Sequence, residues 1–355
     1  MDYKSSLMWK ELNETPKILA GLREVNASAL SEMRKAVQAA DIGCICAAAR
    51  GTSSHAMLFF RYLIECRLGI PFSVCAPSAV TIYGAKMRYE NTIVIGCSQS
   101  GSAADVMEVL AAANRCGAVT AAITNDEHSP LAKSAQYHLY CNAGEEKSVA
   151  ATKTFCSQLY LSLLLADAFG AKTDIGEIAE FLARAMPSLD AATDGMAKDF
   201  LRAEDCFILG RGLSSSLAFE CGLKLQETCY IRARAYCSSD FYHGPMAMVE
   251  EGTKIILFAS KHSVSSETEQ AHREDYIRCA KKMEELGADL YIITDDEQSF
   301  RSMNVHVELV PGGKTEAETA FCFALAAQML ACKVSCGKGL SPDSPRALQK
   351  VTVTR

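Results

Sequence analysis

From residue 15 to 40, TPKILAGLREVNASALSEMRKAVQAA, apolar residues recur at helical spacing, which predicts that the chain opens with helix. Beyond residue 40 the pattern changes. Short, continuous apolar runs of β type alternate with amphipathic stretches of helical length. GCICAAARG (43–51) leads into HAMLFFRYLIECRLG, and NTIVIGCSQSG (91–101) into AADVMEVLAAANRCG. AVTAAITND (118–126) precedes a short LAKSAQ helix, and YHLYCNAG (137–144) a long one, VAATKTFCSQLYLSLLLADAFG. Strands apolar on both faces and separated by helices predict an α/β unit with a covered parallel sheet.

The same order then recurs. DCFILGRGLSSS (205–216) parallels GCICAAARGTSS, and TKIILFASKHS (253–263) parallels TIVIGCSQSGS. ADLYIITDD (288–296) parallels AVTAAITND, and VHVELVPGG (305–313) parallels YHLYCNAG. Two α/β domains in tandem, each a parallel sheet flanked by helices, are the simplest explanation. The expected boundaries are a helical segment at 1–40, a first domain at 41–171, a helical linker at 172–200 and a second domain at 201–338. The tail, 339–355, carries two prolines and reads either as a frayed end or as a segment laid over something.

Composition narrows the function classes. The 355 residues suffice for two domains, and 49% hydrophobic with 22% charged residues is a globular profile. A net charge of −6 does not favour nucleic acid as a partner, so any anion site must be a local device. The start, MDYKSSLMWKELNE, has no apolar core of a signal peptide, and no membrane partner is expected. Sixteen cysteines are scattered without a CxxC pair, which reads as reduced core residues of a cytosolic protein rather than as a zinc site.

Two stretches carry candidate chemistry. In the first domain, strands empty into polar turns, Gly51-Thr52-Ser53-Ser54 and Ser98-Gln99-Ser100-Gly101. At the carboxyl ends of parallel strands, free N–H groups and the helix dipole favour an anion, and hydroxyls add donors without bulk. Neither turn is a Walker loop, and GRGLSS (210–215) lacks the third glycine of a dinucleotide fingerprint. The same hydroxyls could instead be helix N-caps. The second domain's counterpart of SQSGS, SKHSV, has lost the glycine, so one half is expected to keep the cradle and the other to lack it. The second stretch is FECGLKLQETCYIRARAYCSSDFYHGPMAM (219–248), in which Glu220, Lys224 and Glu227 share one helix face and His243 follows in a turn. A carboxylate, an ammonium and an imidazole around one cavity could open a sugar ring and move a proton between adjacent carbons. A salt-bridged helix face beside a capping histidine accounts for the same spacing.

Taken together, MWKELNETP, GTSSHA, SQSG, AGEEKSVAATKT, LKLQETCYI, HGP and SPRALQKVTVT resemble the sugar isomerase (SIS) domain family, over nearly the whole chain. The likeness is to double-SIS proteins similar to the isomerase half of glutamine–fructose-6-phosphate aminotransferase, with no glutaminase half expected. The ARGTSSHA turn, APSAVTIYG and AGEEKSVAATK resemble the type II glucosamine-6-phosphate deaminases most. The resemblance implies flavodoxin-like three-layer domains. It puts phosphate-binding hydroxyls at Thr52, Ser53, Ser98 and Ser100 with Gln99 alongside, and sugar contacts at Gly51, Val149, Ala150 and Ala151. It implies catalytic roles for Glu227, Lys224, Lys350 on a tail lid, and His243, the last supplied across a homodimer.

Departures from the family pattern are Ala103 and Ala151 in place of hydroxyls, together with Arg232, Arg234 and Asp240, which bear on substrate identity. The activity implied is conversion of glucosamine-6-phosphate and water to fructose-6-phosphate and ammonia, without metal or organic cofactor. Alternatives are another phosphosugar isomerase, a fructosamine-6-phosphate deglycase, or a non-catalytic phosphosugar-binding regulator.

Overall fold

The structure, a computed structural model, describes residues 2–173, 175–264 and 266–350. The last five residues of the expected tail lie outside the described residues. The chain forms two compact units. Among the described residues, one comprises 17–146, 153–175 and 349–350; the other comprises 2–16, 147–152 and 176–348.

The first unit is built on five parallel strands, β1 (Cys44–Ala49), β2 (Phe72–Val74), β3 (Thr92–Cys97), β4 (Val119–Thr124) and β5 (Tyr137–Tyr140), in the order β2-β1-β3-β4-β5. β3 is buried along its whole length, which is why its sequence, TIVIGC, shows no alternation. On one face Ala48, Val94 and Ala122 pack against Val106, Val109 and Leu110 of the helix Ala104–Arg115 and against Leu131. The helices Ala27–Ala39, Gly51–Leu68 and Lys153–Ala168 pack on one another as a second group. Lys153–Ala168 is buried on every side except at Asp167, as its all-round apolar sequence requires.

The second unit repeats the design. Its parallel strands are β6 (Asp205–Gly210), β7 (Arg232–Cys237), β8 (Lys254–Ala259), β9 (Asp289–Thr294) and β10 (His306–Leu309), in the order β10-β9-β8-β6-β7. Read from the other edge, this is the order of the first sheet. Helices Ile178–Asp199, Leu213–Cys229 and Glu316–Gly337 pack together, while Glu269–Glu285 sets Tyr276, Cys279, Ala280 and Met283 against Leu257, Leu290 and Ile292. Glu316–Gly337 is long and apolar enough to cross a bilayer, but 94% of its apolar window is buried inside the unit, so it is a core helix.

Two α/β domains with flanked parallel sheets agree with the sequence pattern, but each sheet has one strand more than that pattern predicts. The additional strands, β2 and β7, both lie at sheet edges. β2 has only three residues, and β7 alternates exposed Arg232 and Arg234 with buried Ala233. Arg232 pairs with Glu204 and Asp205 at the surface.

One glycine fixes the turn after β3. Gly101 has φ of +62°, and a Cβ there would fall 2.1 Å from Ser129 Oγ. At Gly117, φ is +72° but no atom lies within 4 Å of such a Cβ. Gly101→Ala is therefore expected to cost about 1–2 kcal/mol for the left-handed backbone plus about 1–3 kcal/mol for overpacking. Gly117→Ala should cost only the first part, and the difference between the two melting temperatures measures the clash.

Candidate anion-binding and acid–base sites

In the first unit the strand order reverses between β1 and β3, so the connections leaving these neighbouring strands diverge and leave a crevice at their carboxyl ends. Every phosphate-site candidate falls there. Helix Gly51–Leu68 begins immediately after β1, with Gly51 at φ +50° and Thr52 and Ser53 in its first turn. Ser98, Gln99 and Ser100 follow β3 directly, and the next helix starts at Ala104. The hydroxyls are not N-caps. The N-cap positions are Arg50 and Ala103, and neither makes a side-chain cap bond; within the second helix start the Val106 amide donates to Asp105 Oδ1 at 2.9 Å.

Internal bonds hold the turns in shape. Ser53 Oγ accepts from Gln158 Nε2 at 3.0 Å, and Ser100 Oγ accepts from the Ser102 amide at 3.3 Å. The Asn125 amide donates to Gln99 O at 2.9 Å, and the Gly101 amide to Ser98 O at 3.2 Å. Ser98 is 9% exposed and Ser100 half-buried. Burial pushes the Cys97 thiol beside them up to about 12, outweighing a hydrogen bond with Ser53, so no thiolate sits beneath the turns at neutral pH.

Sequence reasoning missed two residues here. Arg50 Nε lies 2.8 Å from Asp105 Oδ2, joining the β1 turn to the helix after β3. The carboxylate is almost fully buried while the guanidinium is half-exposed, so the pair keeps a cation at the rim. In the same unit Lys350 Nζ is 2.8 Å from the buried Glu146 Oε2, which also accepts from Thr154 Oγ1 at 2.8 Å.

The acid–base candidates lie in the second unit. Helix Leu213–Cys229 brings Lys224 Nζ within 3.3 Å of Glu220 Oε1 and 2.6 Å of Glu227 Oε2. Lys224 and Glu220 are fully buried, whereas the Glu227 side chain retains 22% exposure. Burial works against the ammonium, but the two carboxylates outweigh it and hold Lys224 above the usual lysine range. A raised value means that Lys224 stabilises the fold fully below the ordinary lysine pKa and loses that contribution only as pH rises through the raised one. The helix thus presents a permanently charged ammonium and one carboxylate with an open edge. His243 follows the short helix Ser238–Phe241, exposed, with its amide bonded to Asp240 O at 3.0 Å and Gly244 after it at φ +151°.

Val149, Ala150 and Ala151 belong to a short segment that is likewise fixed in place. The Val149 amide donates to Asp343 O at 3.1 Å, and the Ser148 amide to Glu11 Oε2 at 3.2 Å. Asp343 in turn caps the helix Leu7–Asn13 through the Leu7 and Met8 amides at 2.9 and 2.8 Å. Glu11 and Asp343 were also invisible to sequence spacing, since each acts on residues more than a hundred positions away.

The SIS domain profile matches residues 41–168 and again 199–336. The chain belongs to the SIS domain family. It carries two SIS repeats, in keeping with the two sheets of one topology. Over 350 residues it is 31% identical to the glutamine–fructose-6-phosphate aminotransferase [isomerizing] of Methanothermobacter thermautotrophicus, covering 98% of this chain and 57% of that protein. The chain thus spans little more than half the length of such relatives. Among solved structures, the C-terminal domain of glucosamine-fructose-6-phosphate aminotransferase from Francisella tularensis superimposes with a TM-score of 0.82 at 25% identity, covering 96% of this chain and 98% of that one. The glucosamine-6-phosphate deaminase of Thermotoga maritima shares the fold, with a TM-score of 0.73 at 21% identity over 98% of this chain and 100% of that one.

In this SIS protein the burial of Glu220 and Lys224 sets a stability test. Lys224→Met takes the ammonium away from the fully buried Glu220 carboxylate and is expected to cost about 3–5 kcal/mol in chemical denaturation. Adding Glu220→Gln should recover a substantial part. If the double variant is no more stable than the single one, the ion pair is not what carries the cost.

Proposed function

We propose that this SIS protein deaminates and isomerises glucosamine-6-phosphate, giving fructose-6-phosphate and ammonia. The observation that carries the reading is the crevice after β1 and β3, where two helix starts without side-chain caps converge with the hydroxyls of Thr52, Ser53, Ser98 and Ser100. Such a site suits the dianionic oxygens of a phosphomonoester. Gln99 and the rim cation Arg50 add a further donor and charge, and Gly51 allows close backbone approach.

In this mechanism the phosphate anchors the sugar, and Val149, Ala150 and Ala151 line its carbon chain. His243 of the partner subunit opens the ring by passing a proton between the C1 hydroxyl and the ring oxygen. Its exposure fits a residue offered to a second copy. Glu227 removes the C2 proton and returns it to C1, leaving a 2-imine that water hydrolyses to the ketone with loss of ammonia. Lys224, held charged by its two carboxylates, stabilises the negative charge that develops on the enol oxygen, and Lys350 assists from the tail. Each step moves only protons and water, so the residues named here carry the whole reaction in this scheme.

The test is ammonia release from glucosamine-6-phosphate by the purified protein, with fructose-6-phosphate as the second product. No ammonia under any condition removes the deaminase reading. Glu227→Gln is expected to lower kcat by about 10²–10⁴-fold with little change in binding, as loss of a general base does. A regulator that only binds phosphosugars would be indifferent to that change. Ser98→Ala and Ser100→Ala should each weaken substrate binding by about 10-fold or more, the effect of losing one hydrogen bond to a charged group, and should leave the binding of unphosphorylated glucosamine unchanged.

The relatives named as isomerising aminotransferases favour a second reading, in which the chain interconverts a phosphorylated aldose and ketose without releasing ammonia. A panel of glucose-6-phosphate, glucosamine-6-phosphate and fructosamine-6-phosphate separates it from the first.

A further inference from the structure

The second SIS repeat retains part of the anion cradle, and one of its own side chains occupies the space in front of it. Arg211 follows β6 as Arg50 follows β1, and its Nη1 lies 2.9 Å from Asp275 Oδ2, on the helix after β8. The arginine–aspartate clamp is therefore present in both repeats. Gly212 takes φ +59° where Gly51 takes +50°, and it is the N-cap of helix Leu213–Cys229, again without a side-chain cap. The other half of the cradle is gone. The turn after β8 has no glycine, the Lys261 amide is bonded to Asp295 Oδ1 at 2.7 Å, and His262 Nδ1 lies 2.9 Å from Glu269 Oε1.

Two side chains face the retained half. A Cβ placed on Gly212 would come within 3.2 Å of Glu316 Oε1 and 3.7 Å of His272 Cε1. Glu316 is 1% exposed. His272 Nε2 stands 3.8 Å from Glu316 Oε1; its side chain is 9% exposed, and among the described residues Nε2 has no hydrogen-bond partner. Burial, together with the charge of Arg211, pushes His272 down to about 4, so the ring is neutral at pH 7. The helix start adds positive potential beside the carboxylate. Counting back from the Phe-Cys pair that both repeats share, Phe155-Cys156 and Phe321-Cys322, Glu316 corresponds to Ala150. One repeat has a methyl group at this position and the other a carboxylate.

We propose that Glu316 is the built-in anion of the second repeat: its carboxylate takes the place over the Gly212 turn that a phosphate would occupy, and so closes this cradle to phosphomonoesters. Glu316 is then a specificity determinant. It keeps the second repeat from holding a phosphomonoester, and its removal should open a site for phosphate-class anions.

The experiment is calorimetric titration of the full chain with inorganic phosphate, comparing wild type with Glu316→Ala. The variant is expected to take up one phosphate per chain more than the wild type. Because the result is a difference between two proteins, it stands whether or not the first repeat binds phosphate. Glu316→Ser, whose hydroxyl suits a helix start, replaces the alanine variant if that fails to fold. Should both unfold in chloride, recovery of the fold in phosphate but not in chloride of equal ionic strength would support the proposal. Equal phosphate uptake by wild type and a folded variant, or no recovery in phosphate, overturns it.

Discussion

The reversal of strand order between β1 and β3 is the constraint on which the candidate site depends. Successive parallel strands laid down in one direction would send their connections the same way and close the edge. Reversal sends them to opposite faces and leaves two helix starts flanking a crevice, with the helix dipoles directed at it. The residues at that edge are those that such geometry admits: Gly51 and Gly101 where the backbone is left-handed, and small hydroxyls elsewhere. Arg50 and Asp105 then tie the two sides together across 55 positions of sequence.

The duplicated architecture allows the two repeats to diverge. Both sheets have the same order, and both place an arginine after the first strand in contact with an aspartate beyond the third. The first repeat kept the glycine and hydroxyls of its second turn. The second has Ser260-Lys261-His262-Ser263 there, without the glycine, and its helix Leu213–Cys229 carries a fully buried lysine between two carboxylates. A buried ion pair contributes little net stability compared with apolar packing. On the proposed function, its presence at full burial with Glu227 left partly open serves the chemistry.

Much of the fold was legible in the sequence because buried parallel strands read as unbroken apolar runs, TIVIGC and KIILFA among them. The edge strands were not. β2 is too short to show a pattern, and in β7 the alternation of Arg232, Ala233 and Arg234 drew notice for its bearing on substrate identity and not as a strand. Both arginines lie exposed on an edge strand. The candidate turns were legible as local motifs, and so was the i, i+4, i+7 spacing of Glu220, Lys224 and Glu227. Arg50–Asp105 and the hold of Glu11 and Asp343 on residues 148 and 149 were not, because each joins residues far apart in sequence. The repeat did hold one clue, since Arg50 and Arg211 occupy matching places.

The most direct measurement is an experimental structure of the chain with fructose-6-phosphate bound. The account predicts phosphate oxygens within hydrogen-bonding distance of Ser98 and Ser100 Oγ, at the ends of β1 and β3. A phosphate found elsewhere, with these hydroxyls turned into protein contacts, would contradict it.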